Sequence, residues 1–278
     1  MQITLDWLKE KGACSDDVEW FTRHFPEGGE YQAVLDALAH ENLASWGLWL
    51  LKAAGPVNAV LKINGDYEAK FGLYFAGRVE ISGAIKVAGY FLAGEGIEAG
   101  EGIEAGLGIE AGWGIKAGEG IKAGEGIEAG EGIEAGEGIK AGWGIKAGSG
   151  IEAGLGIEAG WGIKAGEGIE AGEGIEAGLG IEAGWGIKAG EGIEAGEGIE
   201  AGEGIKAGWG IKAGWGIKAG WGIEAGEGIK AGEGIEAGLG YGIFAGLYVK
   251  IANWSKYALV IAKTKPANLV SGEFQEKK

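Results

Sequence analysis

An isoleucine recurs every six residues from Ile97 to Ile235, 24 times without a gap, and an alanine stands two residues after each one. On an extended strand, residues two apart share a face and the one between them points away. Ile97 and Ala99 therefore face one way and Glu98 the other. The unit is Gly-Ile-(Glu/Lys)-Ala-Gly-X, which predicts a three-residue strand followed by a Gly-X-Gly corner. Collagen would need glycine at every third position, whereas here the two glycines of each six are spaced two and then four apart. A helix would lose about 1 kcal/mol at each glycine. A disordered linker gives no reason to hold a β-branched residue in phase. The pattern predicts a mainly β protein with a parallel β-solenoid over residues 94–240, isoleucine stacked inside with alanine beside it.

Glycine is expected to supply the backbone angles of the corners. The X position is expected to face solvent, because 13 of its 25 occupants from Glu95 to Leu239 are glutamate and a buried unpaired carboxylate is too costly to repeat. Three hexads make a three-sided coil of 18 residues, and at a rise of about 4.8 Å the array would form roughly eight coils. A flattened coil of two hexads is the alternative. Leu107, Leu155, Leu179 and Leu239 share one phase modulo 12, although residues 155–178 and 179–202 are identical and duplication accounts for this equally well.

The flanks follow other periods. Over residues 1–55, Leu5 and Leu8, then Val18, Phe21 and Phe25, predict two short helices. Ser15-Asp16-Asp17 starts the second and Pro26 closes it. Val34, Leu35 and Leu38, then Leu43, Trp46, Trp49 and Leu50, are spaced for an amphipathic helix pair ended by Gly55-Pro56. This module is expected to cap the first coil, with a docking module as the other reading. Residues 56–93 change to alternation, with strands at 61–63, 67–71, 78–81 and 84–87, and read as irregular coils. Residues 241–278 leave the hexad, since Ile235 to Ile243 spans eight. Ile243-Phe244, Leu247-Tyr248-Val249 and Tyr257 to Ile261 predict a C-terminal strand cap, followed by a loose tail from Thr264 to Lys278.

Composition sharpens this picture in one respect. The net charge of −17 resides in the array, which holds 27 Glu and 10 Lys, while the flanks balance. Such a surface repels nucleic acid and anionic membranes. No apolar run is long enough to span a bilayer, the start lacks a basic signal-peptide region, and the single cysteine, Cys14, suits a reducing cytoplasm. His24 and His40 form no ligand-spaced pair, so neither a metal nor a catalytic site is expected, and Cys14 is expected as a small core residue. The Gly-X-Gly corners lack the helix and Lys-Ser/Thr of a phosphate loop. No enzyme and no cofactor is expected.

The run from Gly77 through Arg78-Val79-Glu80-Ile81 and Ala84-Ile85-Lys86-Val87 to Gly89 slides into the strict hexads. This alternation of apolar residues with glycine turns resembles the bactofilins, polymer-forming proteins with a three-sided β-solenoid, over residues 57–250. It departs from them in its glycine content, its strict hexad and its helical N-terminal module. Left-handed hexapeptide-repeat proteins place their small residue elsewhere, and pentapeptide-repeat proteins share the rod but not the period. The resemblance implies a structural or self-assembling rod.

The charge suggests another function: an acidic decoy that binds and sequesters a protein partner, a DNA-handling enzyme or complex, as pentapeptide-repeat DNA mimics and phage-encoded inhibitors do. The candidate partner-binding residues are Glu95, Glu101, Glu119, Glu125, Glu167, Glu173, Glu191 and Glu197 with Trp209, Trp215 and Trp221. Trp113, Trp143, Trp161 and Trp185 also occupy X. Six of the seven array tryptophans are followed three residues later by lysine, so a lysine over each ring is expected, with an aromatic contact surface as the functional reading.

Overall fold

The computed structural model describes residues 1–249 and 253–277. Each hexad contributes one strand, Ile97–Ala99, Ile103–Ala105, Ile109–Ala111 and onward. Strands three hexads apart pair in parallel and in register, Ile97 with Ile115 and Ala99 with Ala117. The coil is therefore three-sided, with one hexad to each side, and the flattened alternative of two hexads is excluded. Three sheets of 12, 12 and 10 strands form the sides of a prism. We call the Ile97, Ile103 and Ile109 columns the first, second and third faces. At about 4.8 Å per coil the 12-stranded sheets are roughly 55 Å long. Every isoleucine and alanine of the repeat is buried, in one continuous core. Corner backbone is paired as well: the Ile97 N–H donates to Gly114 O at 3.0 Å and the Glu119 N–H to Glu101 O at 3.3 Å.

The glycines serve a different purpose from the one expected. From Gly94 to Gly238 none has a left-handed φ; Gly240, the last residue of the array, is the first that does. What demands glycine is proximity. A Cβ on Gly160, the glycine after alanine, would stand 2.0 Å from Gly142 O of the preceding coil. The glycine before isoleucine is under less constraint, since a Cβ on Gly162 would stand 3.2 Å from Gly180 O.

The N-terminal module contains α1 (Leu5–Glu10), α2 (Ser15–His24), α3 (Tyr31–His40) and α4 (Ala44–Ala54), with Gln2–Ile3 paired antiparallel to Gly29–Glu30. Leu35, Leu38, Trp46 and Leu50 share a core with Tyr74 and Leu92 of the third face. Tyr74 and Leu92 sit at the outward mid-strand position, where the array carries Glu or Lys. The apolar substitutions there let α3 and α4 pack on the side of the prism. The Gln32 side chain ties the joint, donating to Tyr74 O at 2.7 Å and accepting from the Ala76 N–H at 3.1 Å. Leu61, Ile63, Tyr67, Ala69 and Phe75, the inward residues of the first coil, remain only partly buried. Two strands of this region, Leu73–Phe75 and Phe91–Ala93, were hidden from the alternation rule because their outward residues are apolar.

At the other end, Ile223 pairs with Ile243, two residues beyond the spacing that the repeat keeps elsewhere. The two extra residues bulge out at a corner where Leu239 is fully exposed and Gly240 takes φ +86°. The expected strand around Tyr248 is a turn, and a short helix, α5 (Trp254–Tyr257), precedes the strand Leu259–Ala262. The tail expected to be loose adds two more strands, Leu269–Ser271 and Glu273–Glu276, to the first and second faces. Residues 250–252 and 278, which fall within the C-terminal cap and tail expected above, lie outside the described residues.

Candidate functional site

The hexad has two outward positions, and the fold separates them. The Glu/Lys between isoleucine and alanine forms a column down the middle of each face, and X forms a ridge along each corner. The array lysines all stand on faces, and nine of the ten reach a glutamate of the same face one coil away, as in Lys116–Glu134 at 2.8 Å, Lys140–Glu158 at 2.7 Å and Lys164–Glu182 at 2.8 Å. Hydrogen bonds donated to these carboxylates raise the Lys116, Lys146 and Lys206 amines above their ordinary range. These pairs are exposed, and exposed ion pairs add little to stability.

The ridges hold 13 glutamates and no lysine. Among the described residues only three of these carboxylates have an ion pair or a side-chain hydrogen bond: Glu95 with Arg78 at 3.9 Å, Glu233 with Lys263 at 2.6 Å, and Glu125 with the Tyr90 hydroxyl. Burial and this hydrogen bond push Tyr90 up to about 12. The uncompensated acidity of the protein is thus an edge property.

The three ridges differ. The first, between the first and second faces, reads Glu101, Glu119, Glu137, Leu155, Glu173, Glu191, Trp209, Glu227. The second reads Leu107, Glu125, Trp143, Trp161, Leu179, Glu197, Trp215, Glu233, and is mostly apolar. The third runs from Glu95 and Trp113 through Ser149 to Trp221. The sequence-derived candidates are therefore not one patch. Glu101, Glu119, Glu173, Glu191 and Trp209 share the first ridge; Glu125, Glu197 and Trp215 lie on the second; Glu95, Glu167 and Trp221 lie on the third. Glu137 and Glu227 complete the first ridge and were missed. Grouping X by every third hexad would have found them.

The tryptophans are about half exposed, from 42% at Trp113 to 61% at Trp215. Among the described residues no array lysine lies over an array tryptophan; the one ridge ring with a cation over it is Trp113, with Arg78 at 5.5 Å. The lysine three residues on belongs to the next face and turns to a glutamate there. Trp143 and Trp161 stack on each other at 5.5 Å, and Trp221 stacks on Tyr241 at 5.9 Å.

Where the helical module meets the third face, Lys52 of α4 pairs with Glu110 at 3.4 Å. Burial raises the Glu110 carboxyl above its ordinary value, against the opposing pull of Lys52. Cys14 is exposed, and its Sγ caps α2 by accepting from the Asp17 N–H at 3.5 Å, which corrects its placement in the core. His24 Nε2 lies 3.1 Å from Glu41, and His40 packs on Phe71 with ring centroids 4.0 Å apart. No helix among the described residues is long and apolar enough to cross a membrane.

Residues 1–54 match a family model described as the YdhT N-terminal domain. No curated protein and no solved structure matches the chain. The matched segment is the helical module up to the end of α4, so the solenoid lies outside it. What the structure bears out of the expected resemblance is the parallel, three-sided coil alone.

Proposed function

We propose that this chain is a non-enzymatic acidic rod that binds a basic, DNA-handling protein partner along its first ridge and sequesters it in place of DNA. The observation that supports the reading is the partition of charge: lysines neutralise the faces, while the first ridge holds six glutamates with no partner among the described residues. Eight coils at about 4.8 Å span roughly 39 Å, over which one DNA strand carries about 11 phosphates. The ridge thus offers about half the linear charge of one strand, enough to steer a basic surface at low salt.

The test compares the native chain with a variant carrying Gln at Glu101, Glu119, Glu137, Glu173, Glu191 and Glu227, each immobilised in cell lysate. The reading expects a DNA-binding protein, identified by mass, that duplex DNA and rising salt both displace and that the variant does not retain. Retention indifferent to salt, to DNA and to the substitutions overturns it.

A structural rod is the second reading, and the partly buried first coil favours it: an uncovered apolar layer at the end of a stack is a surface for another copy. Light scattering that stays monomeric from micromolar to millimolar concentration removes this reading.

A further inference from the structure

At the C-terminal end of the first ridge, the repeat meets the turn at Leu247-Tyr248 and the helix α5. A cavity of about 500 Å³ forms there, walled by Trp209, Tyr248 and Tyr257, with Glu227 at its side and Gly190 and Gly208 beneath. Three aromatic side chains, 43% to 69% exposed, and one carboxylate line this open space. Aromatic faces carry negative quadrupole charge and attract organic cations that are weakly hydrated. A carboxylate beside them supplies the counter-charge. Glu227 has no ion pair or side-chain hydrogen bond among the described residues, and the neighbouring Glu191 on the same ridge adds to the negative potential. Two cations stand close by. Lys256 Nζ lies 4.8 Å from the Tyr257 ring centroid, and both residues also line the groove of the second face. Lys206 is paired with Glu224 at 3.0 Å. The Tyr257 ring therefore already meets one cation, while Trp209 and Tyr248 have none over them among the described residues.

We propose that this aromatic pocket is a binding site for an organic cation of the quaternary ammonium or guanidinium class. The same chemistry is carried by free choline-like molecules and by methylated lysine or arginine side chains of a protein. The site does not depend on the decoy reading, because it is built from rings and one glutamate at the end of the ridge.

The experiment is a calorimetric titration of the full chain with choline, N-acetyl-trimethyllysine amide and N-acetylarginine amide, and with the neutral tert-butyl analogue of choline. Saturable binding of the cations, with a dissociation constant on the order of a millimolar, and none of the neutral analogue is expected. Trp209→Leu should weaken binding about tenfold or more, and Glu227→Gln about threefold or more. Leucine occupies the same ridge at Leu155, so the first variant keeps the coil. Tyr248→Phe, which retains the ring, and Trp143→Leu, on another ridge, should bind as the native chain does. The strongest ligand separates a free small molecule from a protein side chain. Equal binding of the neutral analogue, no saturation by any cation, or unchanged affinity in both Trp209→Leu and Glu227→Gln overturns the proposal. Substituting Glu101, Glu119 and Glu137 should leave the titration unchanged, so failure of the ridge as a partner surface and failure of this pocket are read separately.

Discussion

The faces and the ridges of the prism are written with the same six residues, yet they differ in what holds them and in what they offer. On a face, isoleucine and alanine go inward and the charged residue outward, where nine of the ten lysines pair with a glutamate one coil away. On a ridge nothing goes inward. X is bounded by two glycines and carries its charge or its ring into solvent without a partner in most coils. The contrast teaches that stability and recognition are assigned to separate phases of one repeat: X can vary freely among Glu, Trp, Leu and Ser because the core never depends on it.

The sharpest way to break this division is to insert a charge in the core phase. Ile163 is 1% exposed in the middle of the stack. Ile163→Asp buries a carboxylate with no partner, at a cost of about 3–5 kcal/mol or more. Loss of the cooperative β-sheet melting transition by circular dichroism is the expected outcome; an unchanged melt would place the core elsewhere. By contrast, Leu155→Ser, on the first ridge, should leave the midpoint almost unmoved.

The two glycines of a hexad allow a finer cut. Gly160→Ala would drive its Cβ to 2.0 Å from a backbone oxygen that the sheet holds in place, whereas Gly162→Ala meets its nearest neighbour at 3.2 Å. Forced separation of two coils falls in the range of about 1–3 kcal/mol found for overpacking. Gly160→Ala should therefore lower the melting midpoint by several degrees. Gly162→Ala should cost much less, because alanine also reduces the entropy of the unfolded chain. Equal effects would mean that corner angles, not coil spacing, select glycine.

These cases also show what could be read from the sequence. Period and phase predicted the solenoid and left its coil open between two and three hexads, which the strand register then decided. They placed the buried columns and the solvent-facing X. Three things were not legible. The reason for glycine lies between successive coils, three hexads apart along the chain, which is beyond the reach of local turn rules. The side-on seating of the helices depends on Tyr74 and Leu92, which an alternation rule reads as noise. The separation of acidic, apolar and mixed ridges emerges only once the coil length is known, so candidates chosen along the chain were scattered over three edges.

Electrostatics distinguishes face from ridge by sign. Removing a face pair, Lys164→Gln, gives up an exposed interaction of about 0–1 kcal/mol. Replacing the six first-ridge glutamates by glutamine removes repulsion within the neighbouring pairs Glu101/Glu119, Glu119/Glu137 and Glu173/Glu191, on strands about 4.8 Å apart, an interaction near 1 kcal/mol per pair in water before screening. The face variant should melt slightly lower and the ridge variant slightly higher. Both shifts should shrink as salt rises, and a ridge variant that melts lower would show that those carboxylates have structural partners after all.

The smallest effect expected lies at Glu110, the one face glutamate pressed against the helical module. Burial outweighs Lys52 there and raises its carboxyl above the usual carboxylate value. The folded state therefore holds this proton more tightly than the unfolded chain does. That contribution to stability is present below the unfolded value and is lost as pH rises through the folded one. At neutral pH the ionised, partly buried carboxylate is a small liability that Lys52 only partly relieves. Glu110→Gln should leave stability near neutral pH unchanged or slightly raised, and should flatten the dependence of the midpoint on pH just above the ordinary carboxylate value. Carbon-detected NMR titration should place the Glu110 midpoint above the ordinary carboxylate value. If Glu110 titrates below that value, the Lys52 pair dominates the joint, and Lys52→Met should then loosen the helical module from the third face, read as faster hydrogen exchange in α4.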